Sequence, residues 1–293
     1  MSVFFTDSNT ELWYTEIEKL GIQYISMPYT LEGKEHGYDL GKTYDYKNFF
    51  SKIRKGILPL TSALNPQNYI EYFEPYLKLG EDILYVTFSK QLSATFDFLD
   101  QAIVVLKEKY PERTVRYVDT KSIAIGAGII AYEAAVLHKR GATDDEVIAF
   151  VEDFRDNIAT FFTVDDLMHL KRGGRISAVT AILGTTLGLK PILCVNDEGK
   201  LISVDKVSGR KKAIRYLASL VKTLGKNVAD YPIGILHGDA EDEALALKSQ
   251  IQELVGKEVR IWLQPIGPTV GTHCGPKTLA LAFHAKQKTI KNN

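Results

Sequence analysis

Cysteine is nearly missing from this chain: Cys194 and Cys274 are the only two in 293 residues. So few thiols exclude a disulfide framework, and with six scattered histidines they supply no set at metal-ligand spacing. An excess of one charge is also lacking. Lys+Arg and Asp+Glu stand at 36 each, which removes the electrostatic argument for a nucleic-acid partner or for a charge-driven membrane dock. Long hydrophobic runs are absent too. The longest uncharged run, Ile176 to Leu189, is broken by Thr and Gly and falls short of the about 20 apolar residues a membrane span needs. The opening MSVFFTDSNTELWYTEIEK has no basic segment leading into an apolar one, so no secretory signal is expected. The expectation is a cytoplasmic protein with reduced thiols, without internal repeats or a low-complexity linker.

What remains is an ordinary globular composition, 45% hydrophobic and 25% charged, long enough for one large or two moderate domains. The first half alternates apolar runs with amphipathic ones: VFFTDS, ELWYTEIEKLG, IQYISMPYTL, then DILYVTFS, SATFDFLDQAIVVLKEKYP and VRYVDT. Strand-helix alternation predicts a parallel sheet covered by helices. Three of these strands end in polar residues, at Thr6-Asp7-Ser8, Thr87-Phe88-Ser89 and Asp119-Thr120. Ligands of open parallel sheets lie outside the carboxyl ends of the strands, so these tips are expected to converge on one site. Between the second and third strands lies an excursion with a helix near its middle. It ends in Thr61-Ser62, close to a helix that Pro66 opens, where backbone N–H groups favour an anion.

The second half mixes elements. A helix TDDEVIAFVEDFRDNI and a strand IATFFTV lead to DDLMHLKRGGRIS, where Gly173-Gly174 stops a short helix. PILCV-NDEG-KLISVDKV is a hairpin, and two helices and two strands follow it. The reading is an N-terminal parallel-sheet α/β domain over residues 1–163 and a C-terminal α+β domain over 164–293.

Several patterns come close to known chemistry. GYDLGKT (Gly37 to Thr43) lacks the first glycine of a phosphate-binding loop, which would fall at His36, and no buried strand precedes it. Gly126, Gly128 and Ala131 fit G-x-G-x-x-A, but they lie inside a helical run, where small residues let a helix approach a sheet. The adjacent pair His273-Cys274 makes a poor dyad, since neighbouring side chains rarely face each other. The turn SKQLSAT is more informative. Ser93 is placed as an N-cap, and the same N–H groups at 94 and 95 together with the serine hydroxyl can receive a carboxylate or phosphate. Both readings stand on the residues alone.

Taken in order, TDS at 6–8, TS followed by Pro66, SKQLSAT, VDTKSIAIGAG, FFTVDDLMHLKRGGRIS, the NDEGKL hairpin, HGD at 237–239 and GTHCGP at 271–276 resemble the DegV family of bacterial fatty-acid-binding proteins over nearly the whole chain. The resemblance implies a ligand enclosed between the two domains and a carrier with no catalytic residues of its own, needing no cofactor or metal. The implied partner is a separate ATP-dependent fatty acid kinase that makes an acyl phosphate for phospholipid metabolism, with room for transient membrane contact and no role for nucleic acid. Thr61 and Ser93 would hydrogen-bond the carboxylate of a long-chain fatty acid, with Ser62, Thr95 and His273 beside them. The acyl chain would lie in an apolar tunnel, each buried methylene contributing about 0.8 kcal/mol. Arg172, Arg175 and the cluster opening with Arg210 are candidates for a partner surface. The chain departs from the family pattern at TSALNP, Ala94, Lys277 and Ser208. The competing expectation is an enzyme for a small phosphorylated or carboxylated metabolite, which would have a compact polar pocket.

Overall fold

The strongest apolar stretches of the chain settle into two sheets with one helix held between them. The computed structural model describes residues 2–175 and 188–290. Its strands are β1 (Val3–Asp7), β2 (Gln23–Ile25), β3 (Tyr29–Leu31), β4 (Lys34–His36), β5 (Leu60–Thr61), β6 (Ile83–Thr87), β7 (Val115–Asp119), β8 (Ile158–Thr163), β9 (Leu189–Val195), β10 (Leu201–Ser208), β11 (Ile233–His237), β12 (Ile261–Pro265) and β13 (Leu279–His284). Its helices are α1 (Tyr14–Leu20), α2 (Tyr46–Arg54), α3 (Pro66–Lys78), α4 (Thr95–Lys109), α5 (Ala124–Lys139), α6 (Asp144–Phe154), α7 (Met168–Arg172), α8 (Arg210–Leu224), α9 (Glu241–Val255) and α10 (Pro268–Cys274).

The N-terminal sheet runs β2-β1-β6-β7, parallel throughout. Every residue of β6 is buried, as a parallel strand covered on both faces requires. Phe5, Ile83 and Tyr85 face α3 and α4, while Phe4, Leu84 and Val86 face α5. The C-terminal sheet runs β10-β9-β8-β13-β11-β12 and is mixed. On β13, Leu279, Leu281 and Phe283 pack toward α8 and α9, whereas Ala280 and Ala282 turn toward α5. These faces stack as five layers, helix, sheet, helix, sheet, helix. The middle layer explains why α5 has no broad polar face: both sheets press on it. An added Cβ at Gly126 would lie 2.0 Å from Thr160 Oγ1, and one at Gly128 would lie 2.5 Å from the carbonyl oxygen of Thr10. The glycines of the G-x-G-x-x-A run are clearance, as the helical reading required.

Three details differ from the sequence reading. The run IQYISMPYTL is not one strand: β2 ends at Ile25, and Pro28, which has no N–H to donate, separates it from β3 in another sheet. That small sheet, β4-β3-β5, was not foreseen. Third, β8 hydrogen-bonds to β13 and β9, so residues 158–163 belong with the C-terminal sheet although the division at 163/164 would leave them with the N-terminal domain.

Candidate functional site

Between the two sheets, beside the N-terminal end of α5, lies a cavity of about 230 Å³. Apolar side chains make most of its wall, among them Met27 and Phe88 from the N-terminal side and Phe162, Leu201, Leu236 and Ile266 from the C-terminal side. The alanine side of β13 contributes Ala280, so the small residues of that strand leave part of the space open.

Thr61, Ser62, Ser93, Thr95 and His273 all line this cavity, although they come from β5 and the residue after it, the turn before α4, α4 itself and α10. Thr61 Oγ1 lies 3.0 Å from His273 Nε2. Burial, and after it the Arg175 guanidinium, pull the His273 imidazole down from its ordinary 6.5 to about 4, so the unliganded ring is neutral at neutral pH. Its Nδ1 is buried without a partner among the described residues, and a Cβ added to Gly173 would fall 2.1 Å from that atom. The histidine fits only because residue 173 has no side chain. With the proton on Nε2, the ring donates to Thr61 Oγ1 and leaves the threonine O–H free to donate elsewhere.

Ser93 differs in detail from its expected role. Helix α4 begins at Thr95 with Ala94 in the N-cap position, and the Thr95 N–H donates to Ser93 Oγ at 3.2 Å. That N–H is therefore not free for an anion, because the serine already accepts from it. The serine hydroxyl keeps its own hydrogen, which remains available to a ligand oxygen. Thr95 Oγ1 is 2.8 Å from the Tyr69 hydroxyl, a partner that no sequence pattern singles out.

The three arginines part company. Arg175 lines the cavity, with its guanidinium donating to the carbonyls of Leu92, at 2.9 and 3.2 Å, and Gly173, at 2.6 Å. Arg172 is exposed and lines an adjoining depression that shares Thr61, His273 and Arg175 with the cavity. Arg210 lies elsewhere, paired with Glu243 at 2.6 Å and donating to the Lys277 carbonyl, its side chain only 16% exposed. Among the departures from the family pattern, Ala94 lines the cavity with ordinary backbone angles. Lys277 does not line it, but adopts φ +58, a conformation glycine takes most easily, which gives a reason for the glycine common there. Ser208 is exposed at the end of β10.

The strand tips converge less simply than expected. Phe88 reaches the cavity, but the tip side chains of Thr6, Asp7, Ser8, Thr87, Ser89 and Asp119 are used within the protein. Asp7 is fully buried and accepts from Thr87 Oγ1 at 2.8 Å, Asn9 N at 2.9 Å and Tyr85 Oη at 3.0 Å. Desolvation outweighs these bonds and raises its carboxyl to about 6. Cys274 also lines the cavity, but burial pushes its thiol up to about 12, so it packs as a small apolar group.

A two-sheet α/β protein whose interior cavity is apolar, with hydroxyls and a neutral imidazole gathered in its wall, belongs to the class of proteins that enclose a small ligand. The model of the DegV family matches residues 3–286, and the chain belongs to that family. A DegV domain-containing protein of Clostridium perfringens is 37% identical over 281 residues, covering 96% of each chain. Among solved structures, a DegV family protein from Thermus thermophilus described as fatty acid binding is 26% identical, with a TM-score of 0.84 over 97% of this chain and 100% of that one. A fatty acid binding DegV family protein from Streptococcus agalactiae is likewise 26% identical, with a TM-score of 0.83 over 98% and 99%.

Proposed function

We propose that the protein is a carrier of a long-chain fatty acid. The observation that supports this best is a mainly apolar cavity with Thr61, Ser93 and His273 in its wall, in a chain whose solved relatives are described as fatty acid binding. In this reading the carboxylate accepts from the hydroxyls of Thr61 and Ser93, with Ser62 and Thr95 beside them. His273 acts by donating to Thr61 Oγ1 and so turning the threonine hydrogen toward the ligand. Arg175 supplies the positive charge that a buried carboxylate needs. The acyl chain fills the apolar space and dominates affinity. An enzyme for a compact polar metabolite fits this lining poorly.

Isothermal titration of delipidated protein with stearic or oleic acid tests the reading. Saturable one-to-one binding is expected, and Ser93→Ala or Thr61→Val should each weaken it about 3- to 10-fold, the range of one net hydrogen bond. Absence of binding to any long-chain acid would refute it.

The same reading has the bound acid presented to a separate ATP-dependent fatty acid kinase, with exposed Arg172 at the rim where the partner meets the carrier. Arg172→Glu should then lower the kcat/KM of acyl phosphate formation while leaving fatty-acid affinity unchanged. Equal loss in both, or in neither, would remove Arg172 from the docking surface.

A further inference from the structure

One polar side chain in the cavity has no place in the head-group cluster. Asn9 is 6% exposed, lines the cavity, and its Oδ1 is buried without a hydrogen-bond partner among the described residues. It does not line either neighbouring depression that shares Thr61, Ser93, His273 or Arg175 with the cavity, so it belongs to the inner part of the space. Its backbone is fixed: Asn9 N donates to Asp7 Oδ1 at 2.9 Å within the 3₁₀ turn Ser8–Thr10. A second buried oxygen without a partner among the described residues, Thr269 Oγ1, belongs to a residue that lines the same cavity. The two are carried by segments that are clamped together, since the Glu11 carboxyl group accepts from the Gly267 N–H at 2.8 and 2.9 Å, and the Glu11 backbone carbonyl accepts from Gln264 Nε2 at 2.6 Å.

An unpaired amide in an apolar chamber is costly, and a purely hydrocarbon tail would leave it unpaired. Resting on the carrier reading above, we propose that the cavity is built for an oxygenated acyl chain, a hydroxy fatty acid whose hydroxyl meets the side chain of Asn9 with Thr269 alongside. A hydroxyl both donates and accepts, so it can give its hydrogen to the asparagine oxygen and take one from the asparagine NH₂ or the threonine hydroxyl. Asn9 is thereby a specificity-determining residue, distinct from the residues that hold the carboxylate.

The test is titration of the full-length, delipidated protein with stearic acid and with a set of monohydroxystearic acids substituted at successive carbons. At least one hydroxy isomer is expected to bind about tenfold more tightly than stearic acid, with the preference confined to one or two neighbouring positions. In Asn9→Leu the preference should disappear while stearic acid binds at least as well as before. Thr269→Val, a milder change at a second position, should reduce the same preference and so guards against a misfolded Asn9 variant. Stearic acid binding as tightly as every hydroxy isomer would overturn the proposal and point to a trapped water as the partner of Asn9. A hydroxyl preference that survives both substitutions would overturn it as well. Failure of all the acids to bind would instead refute the carrier reading, and this inference with it.

Discussion

Gly173 is the residue through which the smallest change reaches the site. Its φ of −73 suits any amino acid, so only space forbids a side chain, with His273 Nδ1 2.1 Å from where a Cβ would stand. Gly173→Ala is expected to push the imidazole off Thr61 and weaken fatty-acid binding by roughly 3- to 10-fold, while thermal denaturation shows little change. Unaltered affinity would show that His273 does not orient the threonine. Glu11 gives a second prediction at this scale. Burial raises its carboxyl from 4.5 to about 8 against the opposing bond from Gly267. The folded chain holds this proton more tightly than the unfolded one, so the contribution is full below about 4.5 and is lost as pH rises through about 8. Glu11→Gln keeps an acceptor for Gly267 without the charge. Its Tm should match the wild type near pH 4.5 and rise progressively above it toward pH 8; a difference independent of pH would contradict the assignment. Single residues were the least legible part of the sequence. Thr61 and Ser93 were marked by their places before helix N-termini and His273 by resemblance, and nothing in the spacing says that Asp7 bonds to Thr87 of the neighbouring strand while Asn9, two positions on, lines the cavity.

At the scale of elements, the β9–β10 turn shows how the two halves are held. Gly199 sits at φ +83, its carbonyl accepts from Ser89 Oγ at 2.9 Å, and an added Cβ would lie 2.2 Å from that oxygen. Gly199→Ala therefore combines backbone strain with a clash and should cost about 1–3 kcal/mol in urea denaturation. A loss below a few tenths would mean that the turn docks loosely. Elements were more legible than residues where their pattern was long. The hairpin was readable from two alternating runs around NDEG, and α5 from a helical run of Gly, Ala and Ile without a polar face. The two-residue strand β5 was not readable, because so short a segment carries no period and owes its pairing to β3. The N-cap of α4 was misplaced by one position for a related reason. Ser93 does bond a helix N–H, but from one position before the cap residue.

For the whole molecule, the cavity exists because two sheets face each other across α5 and because β13 turns alanines inward. The alternation of strands and helices made the α/β class legible, and the ordered motifs gave the family. The space itself depends on which strand faces meet, and no local segment of sequence states that. If the acyl chain supplies most of the affinity, lengthening a saturated acid should tighten binding about fourfold per methylene, the equivalent of about 0.8 kcal/mol, until the cavity is filled. A flat series from decanoic acid upward would place the chain outside the cavity. The most direct test of the central claim is native mass spectrometry of the purified protein before and after exchange with isotopically labelled stearic acid. The account predicts one long-chain acid per chain, replaced by the labelled acid and held more weakly in the Ser93→Ala variant. A protein that carries no acid as purified and takes up none of the label would contradict it.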